Sequence, residues 1–244
     1  MEQNGNYYSV ESLAEWFKTA CGLNGLEVND EKLKLLARYA DLLLEWNKKI
    51  NLISRKDEAN IWTAHLFHAV SPLLFLKLPA DATVLDLGTG GGLPGIPIKI
   101  LQPELCITLL DSTKKKIDAV TDMVQQMELA NVRTVWRRAE ELAQTEEYCH
   151  TVDIVIARAV APIKDLVKWS LPFLSERNTK TTSNVATPVL IALKGGDLQN
   201  EIGEIQNHKR IKNIRIIDLA FKNLDVPELQ DKKIIVVEFS KVKP

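Results

Sequence analysis

Residues 84–95 read Val-Leu-Asp-Leu-Gly-Thr-Gly-Gly-Gly-Leu-Pro-Gly, an apolar run that breaks into five glycines within eight positions. Glycine loses more conformational freedom on folding than any other residue, so this density weakens a fold unless the backbone must bend unusually or be approached closely. Its surroundings supply that need. The strand-like run Thr83–Leu87 precedes the loop and a helical pattern over Pro97–Leu101 follows it. A strand, glycine loop and helix in that order present backbone amides to a ligand at the helix N-terminus, as in open doubly wound α/β sheets. A glycine-rich turn holding no ligand is the alternative, and it leaves the density unexplained.

The chain after this point has the matching rhythm. Short apolar runs at Cys106–Asp111, Val132–Arg137, Asp153–Ala157 and Val189–Leu193 read as strands, separated by amphipathic stretches at Lys114–Glu128, Ile163–Leu174 and Asp197–Asn207. This alternation predicts a parallel sheet covered by helices on both faces. Ile214–Leu219 and Lys233–Phe239 lie close together without a helical pattern between them, which predicts a closing antiparallel pair. The polar tract Ser175–Thr187 reads as an exposed loop.

Before the loop, Leu33, Leu36, Ala37, Ala40, Leu43 and Leu44 recur at helical spacing. Residues 1–78 are therefore expected to be a helical segment, with Ser12 to Glu15 as a capping box and Asp30 capping a second helix. Residues 79–244 form the α/β unit. The 244 residues allow one large core, and a net charge of −1 excludes a protein that coats nucleic acid through bulk charge. Cys21, Cys106 and Cys149 are scattered, without metal-ligand or disulfide spacing, and no metal site is expected. The polar N-terminus and the absence of a long apolar run point to a cytoplasmic protein with no membrane partner.

The loop contains a literal G-x-G-x-x-G at Gly90, Gly92 and Gly95, with Asp111 at the spacing of a ribose-binding acid, so a dinucleotide enzyme is the formal rival. Asp86 argues for a cationic ligand instead. At about 4 Å a carboxylate and a ligand charge interact by roughly 1 kcal/mol in water and about 4 kcal/mol at an effective dielectric of 20, favourably for a sulfonium and unfavourably for a diphosphate. Asp111, an acceptor-only carboxylate, suits a ribose diol, or alternatively caps the following helix. Ala139 and Glu140, just past the third strand, are placed to flank an adenine.

Leu85-Asp86-Leu87-Gly88-Thr89-Gly90, Leu93-Pro94-Gly95-Ile96-Pro97, Leu110-Asp111-Ser112, Ala157-Arg158-Ala159 and Ala192-Leu193-Lys194-Gly195, with Trp46-Asn47, Asn51-Leu52 and His65, resemble the ribosomal RNA small-subunit methyltransferase G family, also called glucose-inhibited division protein B. The resemblance implies a Rossmann-like class I methyltransferase that uses S-adenosylmethionine to methylate guanine N7 in small-subunit (16S) ribosomal RNA. It places Gly88, Leu93, Ala139, Glu140 and Arg158 at donor-binding positions, beside Asp86 and Gly90 of the glycine motif and Asp111 at the end of the second strand. Gly91, where the family commonly has Pro or Ala, and His68-Ala69, where it has an acidic-serine pair, depart from its pattern.

Guanine N7 carries an unprotonated lone pair, so its methylation requires no general base. Arg158, ending the fourth strand, is a candidate to orient the donor carboxylate or an acceptor phosphate, with an ion pair to Asp153 or Glu140 as the alternative. Lys194, ending the fifth strand, is a candidate acceptor contact. Asn47 and Asn51, spaced i, i+4, together with Arg55, Lys56 and His65, are candidates for RNA recognition by the helical segment; helix-end hydrogen bonds and a core histidine are the structural alternatives. Lys114-Lys115-Lys116 and Arg133/Arg137/Arg138 form an RNA patch only if the fold gathers them at the cleft. The expected partner is small-subunit ribosomal RNA within an assembled or partly assembled small subunit, met by a monomer.

Overall fold

The computed structural model describes residues 10–175 and 184–240. Helices α1 (Val10–Leu23) and α2 (Asp30–Asn47) open it. Both expected caps shift. Ser12 lies inside α1, and α2 is capped by Asn29, whose side chain accepts from the Lys32 amide at 2.9 Å. Asn and Asp cap equally well, so the point where the chain turns decides between them; Asp30, as the first helical residue, instead favours the helix dipole and pairs with Lys18 at 2.5 Å. A 3₁₀ turn (Arg55–Asn60) and a π-helical stretch (Ile61–Phe67) lead into α3 (His68–Phe75). Such widened turns are rare and concentrate at functional sites.

The α/β unit follows as β1 (Thr83–Leu87), α4 (Gly95–Leu101), β2 (Cys106–Asp111), α5 (Lys114–Gln126), β3 (Val132–Trp136), α6 (Ala139–Leu142), β4 (Ile154–Arg158), α7 (Ile163–Ser170), β5 (Val189–Gly195), α8 (Gln199–Gly203), β6 (Ile211–Asp218) and β7 (Lys232–Phe239). Among the described residues these strands form one sheet in the order β3-β2-β1-β4-β5-β7-β6. The first five are parallel, and β7 runs antiparallel to both β5 and β6, as the closing pair predicted. β4 begins one residue later than expected because Asp153 turns its carboxylate onto the start of β1, accepting from the Thr83 amide at 3.0 Å and hydroxyl at 2.9 Å.

Strand alternation sorts the side chains into two cores. Val84, Ile154, Ile156, Ile191, Leu193 and Val236 face a layer containing α1, α2, α3 and α4. Leu85, Val155, Ala157, Leu190, Ala192 and Val237 face α6 and α7 on the other side. The N-terminal helices thus share a core with one face of the sheet. Trp62, Phe17 and Phe67 are buried there and meet edge to face, with Phe17 and Trp62 centroids 5.5 Å apart.

Of the tract Ser175–Thr187, residues 176–183 lie outside the described residues. Its flanks are anchored: Val185 is buried, and the Asn184 side chain accepts from the Lys77 amide at 2.8 Å and donates to the Phe75 carbonyl at 3.2 Å. No helix among the described residues is long and apolar enough to cross a membrane.

Candidate active site

Between β1 and β4 the sheet reverses its direction of winding, and ligands of open α/β sheets bind at the strand carboxyl ends beside such a point. The glycine loop is folded over this edge because the amides of Gly88 and Thr89 both donate to the Leu110 carbonyl, at 2.8 and 2.9 Å. Gly88 has φ +72°, and a Cβ there would stand 2.7 and 2.9 Å from the Val160 methyls. Only glycine meets both demands. The Gly90 amide donates to Asp111 Oδ2 at 3.0 Å while Asp111 Oδ1 accepts from the Thr113 amide at 2.8 Å, so this carboxylate ties the loop to the start of α5. The two readings of Asp111 are therefore compatible: each oxygen has one backbone donor and retains acceptor capacity.

A cavity of about 300 Å³ opens at these strand ends, and Gly88, Asp111, Ala139 and Glu140 line it together. Lys116, Arg137 and Arg138 of the candidate basic groups also line it, as do Ser112, Ala159, Val160 and Trp169, which sequence reading did not single out as site residues. Ala159 has φ +56° immediately after β4, an unusual conformation for a residue with a Cβ, of the kind that clusters at functional sites. No sequence signal marks Trp169, which reaches the cavity only because α7 packs beside β4.

Asp86 does not face this cavity. It is fully buried beneath the loop, where Oδ2 accepts from the Thr89 hydroxyl at 2.7 Å and the Gly95 amide at 2.8 Å, and Oδ1 has no hydrogen-bond partner. Burial lifts its carboxyl to about 6, against the lowering effect of those two bonds. The expectation that Asp86 meets a cationic ligand directly is thereby corrected: strand parity turns it toward the N-terminal helices. Gly95 is needed here, since a Cβ would stand 2.6 Å from Asp86 Oδ2 and 2.4 Å from a Leu109 methyl. Leu93 is likewise buried under the loop, and neither Leu93 nor Gly90 lines the cavity.

Arg158 emerges on the same side as Asp86. It makes no ion pair with Asp153 or Glu140; its Nη2 donates to His65 Nδ1 at 3.3 Å. Burial disfavours its cation, and the nearby Asp86 carboxylate opposes that effect, whereas burial keeps the Tyr39 phenol protonated and uncharged. The Tyr39 hydroxyl donates to the Gly91 carbonyl at 2.9 Å, so α2, the glycine loop, Arg158 and the π-helical stretch form one buried polar junction. Burial and the adjacent Arg158 push His65 down to about 4, leaving it neutral at physiological pH and able to accept from the guanidinium. His65 Nε2 and His68 Nε2 are buried there without partners.

Lys194 falls on the opposite face. Its Nζ pairs with Glu201 Oε2 at 2.9 Å and donates to the Ala161 carbonyl at 3.1 Å, and Glu201 Oε2 also accepts from the Ile163 amide at 2.7 Å. The ammonium is thus engaged in holding α7 and α8 to the sheet, which corrects its expected role as an acceptor contact.

The expected RNA-recognition residues divide as well. Asn47 is buried, with Oδ1 accepting from the amides of Leu52 at 2.8 Å and Ile53 at 2.9 Å, and Nδ2 donating to Glu58 at 2.7 Å. It shapes the turn after α2 and has no edge left for a base. Because α2 ends at Asn47, Asn51 does not share a helix face with it. Asn51, Arg55 and Lys56 are exposed, and His65 serves Arg158.

The family model for rRNA small subunit methyltransferase G matches residues 32–224. A ribosomal RNA small subunit methyltransferase G from Chlorobaculum tepidum is 38% identical over 222 residues, 90% of this chain and 95% of that protein. The one from Bacteroides fragilis is 35% identical over 211 residues, 86% of this chain and 95% of that protein. Among solved structures, a SAM dependent methyltransferase from Aquifex aeolicus aligns with TM-score 0.51 at 14% identity, over 81% of this chain and 97% of that chain. A fibrillarin/Nop5p complex aligns with TM-score 0.52 at 15% identity, over 70% of this chain and 80% of that chain. These likenesses carry the fold, whose strand order and crevice are those described above. The family match begins within α2 and takes in the glycine loop, and the chain belongs to the rRNA small subunit methyltransferase G family.

Proposed function

We propose that the protein transfers a methyl group from S-adenosylmethionine to N7 of a guanine in small-subunit ribosomal RNA, in the cytoplasm and as a monomer acting on an assembled or partly assembled subunit. The observation that carries the reading is the cavity at the β1/β4 switch, where Gly88, Asp111, Ala139 and Glu140 meet in a chain of this family. These residues fit the donor. Gly88 leaves room at the loop, and Asp111 keeps lone pairs for a ribose diol after accepting from Gly90 and Thr113. Asp86 acts at one remove by fixing the loop through Thr89 and Gly95.

When bound, S-adenosylmethionine supplies an electrophilic methyl carbon: the N7 lone pair forms the new bond, the sulfur keeps the electrons of the broken one, and the guanine gains the positive charge. No proton must leave N7 beforehand, in keeping with His65, which is neutral and engaged with Arg158. The protein's contribution is alignment, worth about 7 to 11 kcal/mol in favourable cases, together with preorganised charge. Arg158 is the residue we assign to that task. Its guanidinium donates to His65 Nδ1 and has no carboxylate ion pair among the described residues, so its remaining donors suit an oxyanion of donor or acceptor.

Purified small subunits, naked 16S RNA and total protein, each incubated with methyl-labelled donor, test the proposal. N7-methylguanosine in digested RNA is the expected product, with assembled subunits the faster substrate because they hold a target loop open. Label found only in protein would defeat the reading; equal rates on naked RNA would defeat the assembly part alone. Arg158→Ala should lower kcat at least a hundredfold while shifting the melting temperature by only a few degrees.

A further inference from the structure

The rim of the cavity on the β2–β3 side combines an exposed aromatic plane with unpaired positive charge. Trp136, the last residue of the edge strand β3, is 56% exposed. Its indole is fixed, because Nε1 donates to the Ser112 carbonyl at 3.1 Å, immediately after Asp111. Lys114 Nζ lies 5.8 Å from the ring centroid on one side. Lys115, next to Lys114 on α5, and Arg137 and Arg138, which follow Trp136 in the chain, are exposed, and Lys116, Arg137 and Arg138 reach the cavity itself. Among the described residues only Lys114 of this group has an ion-pair partner, Asp118 at 2.8 Å. The remaining four cations outnumber the nearby exposed acids Glu140 and Glu141, in a protein whose net charge is only −1.

We propose that Trp136, with Lys115, Lys116, Arg137 and Arg138, is a docking platform for a single-stranded stretch of the RNA substrate, one unstacked base lying on the indole and the cations meeting its phosphates. The proposal rests on the RNA-methylation reading above and names a part of the molecule that reading did not use. The exposed part of the ring offers an apolar surface for stacking, and a fixed indole loses little freedom when it stacks. Aromatic planes flanked by Lys and Arg are how proteins hold unpaired nucleotides without reading their sequence. An acidic peptide would use the cations but leave the ring without a partner, so nucleic acid fits both halves of the surface. The platform also complements the helical segment, where Asn47 is enclosed and only Asn51, Arg55 and Lys56 of the candidate polar set are exposed.

The experiment compares full-length wild type with Trp136→Ala, Trp136→Phe and Lys115→Glu in three measurements: affinity for S-adenosylhomocysteine, KM and kcat with small subunits, and binding of a short oligoadenylate. Trp136→Ala should raise KM and weaken oligoadenylate binding about tenfold, with kcat and affinity for S-adenosylhomocysteine unchanged. Trp136→Phe should recover most of the loss, and Lys115→Glu should weaken both and flatten their salt dependence. Wild-type KM and oligoadenylate affinity in Trp136→Ala would overturn the platform, as would equal displacement of oligoadenylate by polyglutamate. Loss of S-adenosylhomocysteine affinity in that variant would assign Trp136 to the donor site instead. If wild type methylates no RNA, the functional reading fails, while the oligoadenylate measurement still decides the platform.

Discussion

Replacing Asp86 by Asn should stabilise the protein at neutral pH by about 3 kcal/mol, although Asp86 belongs to the most distinctive motif of the chain. Burial raises the carboxyl from 3.8 to about 6, even though Thr89 and Gly95 both donate to Oδ2. That rise corresponds to about 3 kcal/mol between the two protonation states, and the residue is fully enclosed, so solvent screening does not reduce it. Asn approximates the protonated acid: its carbonyl can take the Oδ2 position and keep both bonds, and its amide, like the hydroxyl of the protonated acid, finds no acceptor at the Oδ1 position, a cost the two forms share. The folded state binds the Asp86 proton more tightly than the unfolded state, so the stability tied to this group is present below pH 4 and is lost as pH rises to about 6. His65 works in the opposite sense. Its value falls from 6.5 to about 4 on folding, so its share of stability is present above pH 6.5 and lost on acidification. Wild type should therefore show little net dependence on pH from this pair, and the difference between Asp86→Asn and wild type isolates the carboxylate. Urea unfolding at half-unit steps from pH 4 to 8 should give coincident curves at pH 4, separating to about 1 M in midpoint at pH 7. A variant less stable than wild type at pH 7, or a difference independent of pH, would show that the Asp86 charge is compensated in the fold, with Arg158 as the compensating group.

Gly88→Ala should weaken S-adenosylhomocysteine binding at least tenfold, with a stability loss of about 1–3 kcal/mol from the left-handed φ and the collision with Val160; calorimetric titration and melts read the two effects, and Val160→Ala added to it should relieve the collision part. Asn47→Ala removes the acceptor for two amides and the donor to Glu58, so it should destabilise by at least about 2 kcal/mol with unchanged RNA affinity in the folded fraction, checked by urea melts and filter binding. Lys194→Met and Glu201→Gln should each cost about 1–3 kcal/mol without altering KM for small subunits, and the double variant should lose less than the sum, as a mutant cycle on denaturation midpoints will show.

The strand, loop and helix pattern around residues 83–101 determined the fold class, because hydrophobic periodicity and glycine density are local properties that any doubly wound sheet must satisfy. The closing antiparallel pair and the meeting of Gly88, Asp111, Ala139 and Glu140 at one edge were legible for the same reason, since strand ends in such a sheet converge by topology. The family motifs supplied the expected chemistry that locality alone could not. Four residue roles, those of Asp86, Arg158, Lys194 and Asn47, depended on the tertiary structure. Asp86 and Arg158 share the parity of Val84 and Ile156, whereas Lys194 has the other parity, but which helices cover each face follows from long-range packing. That packing put Arg158 against His65 and Lys194 against Glu201. Asn47 carries the same amide whether it reads a base or closes a turn; the chain's reversal after α2 brought two amides within hydrogen-bond reach, and burial away from water made satisfying them the stronger demand.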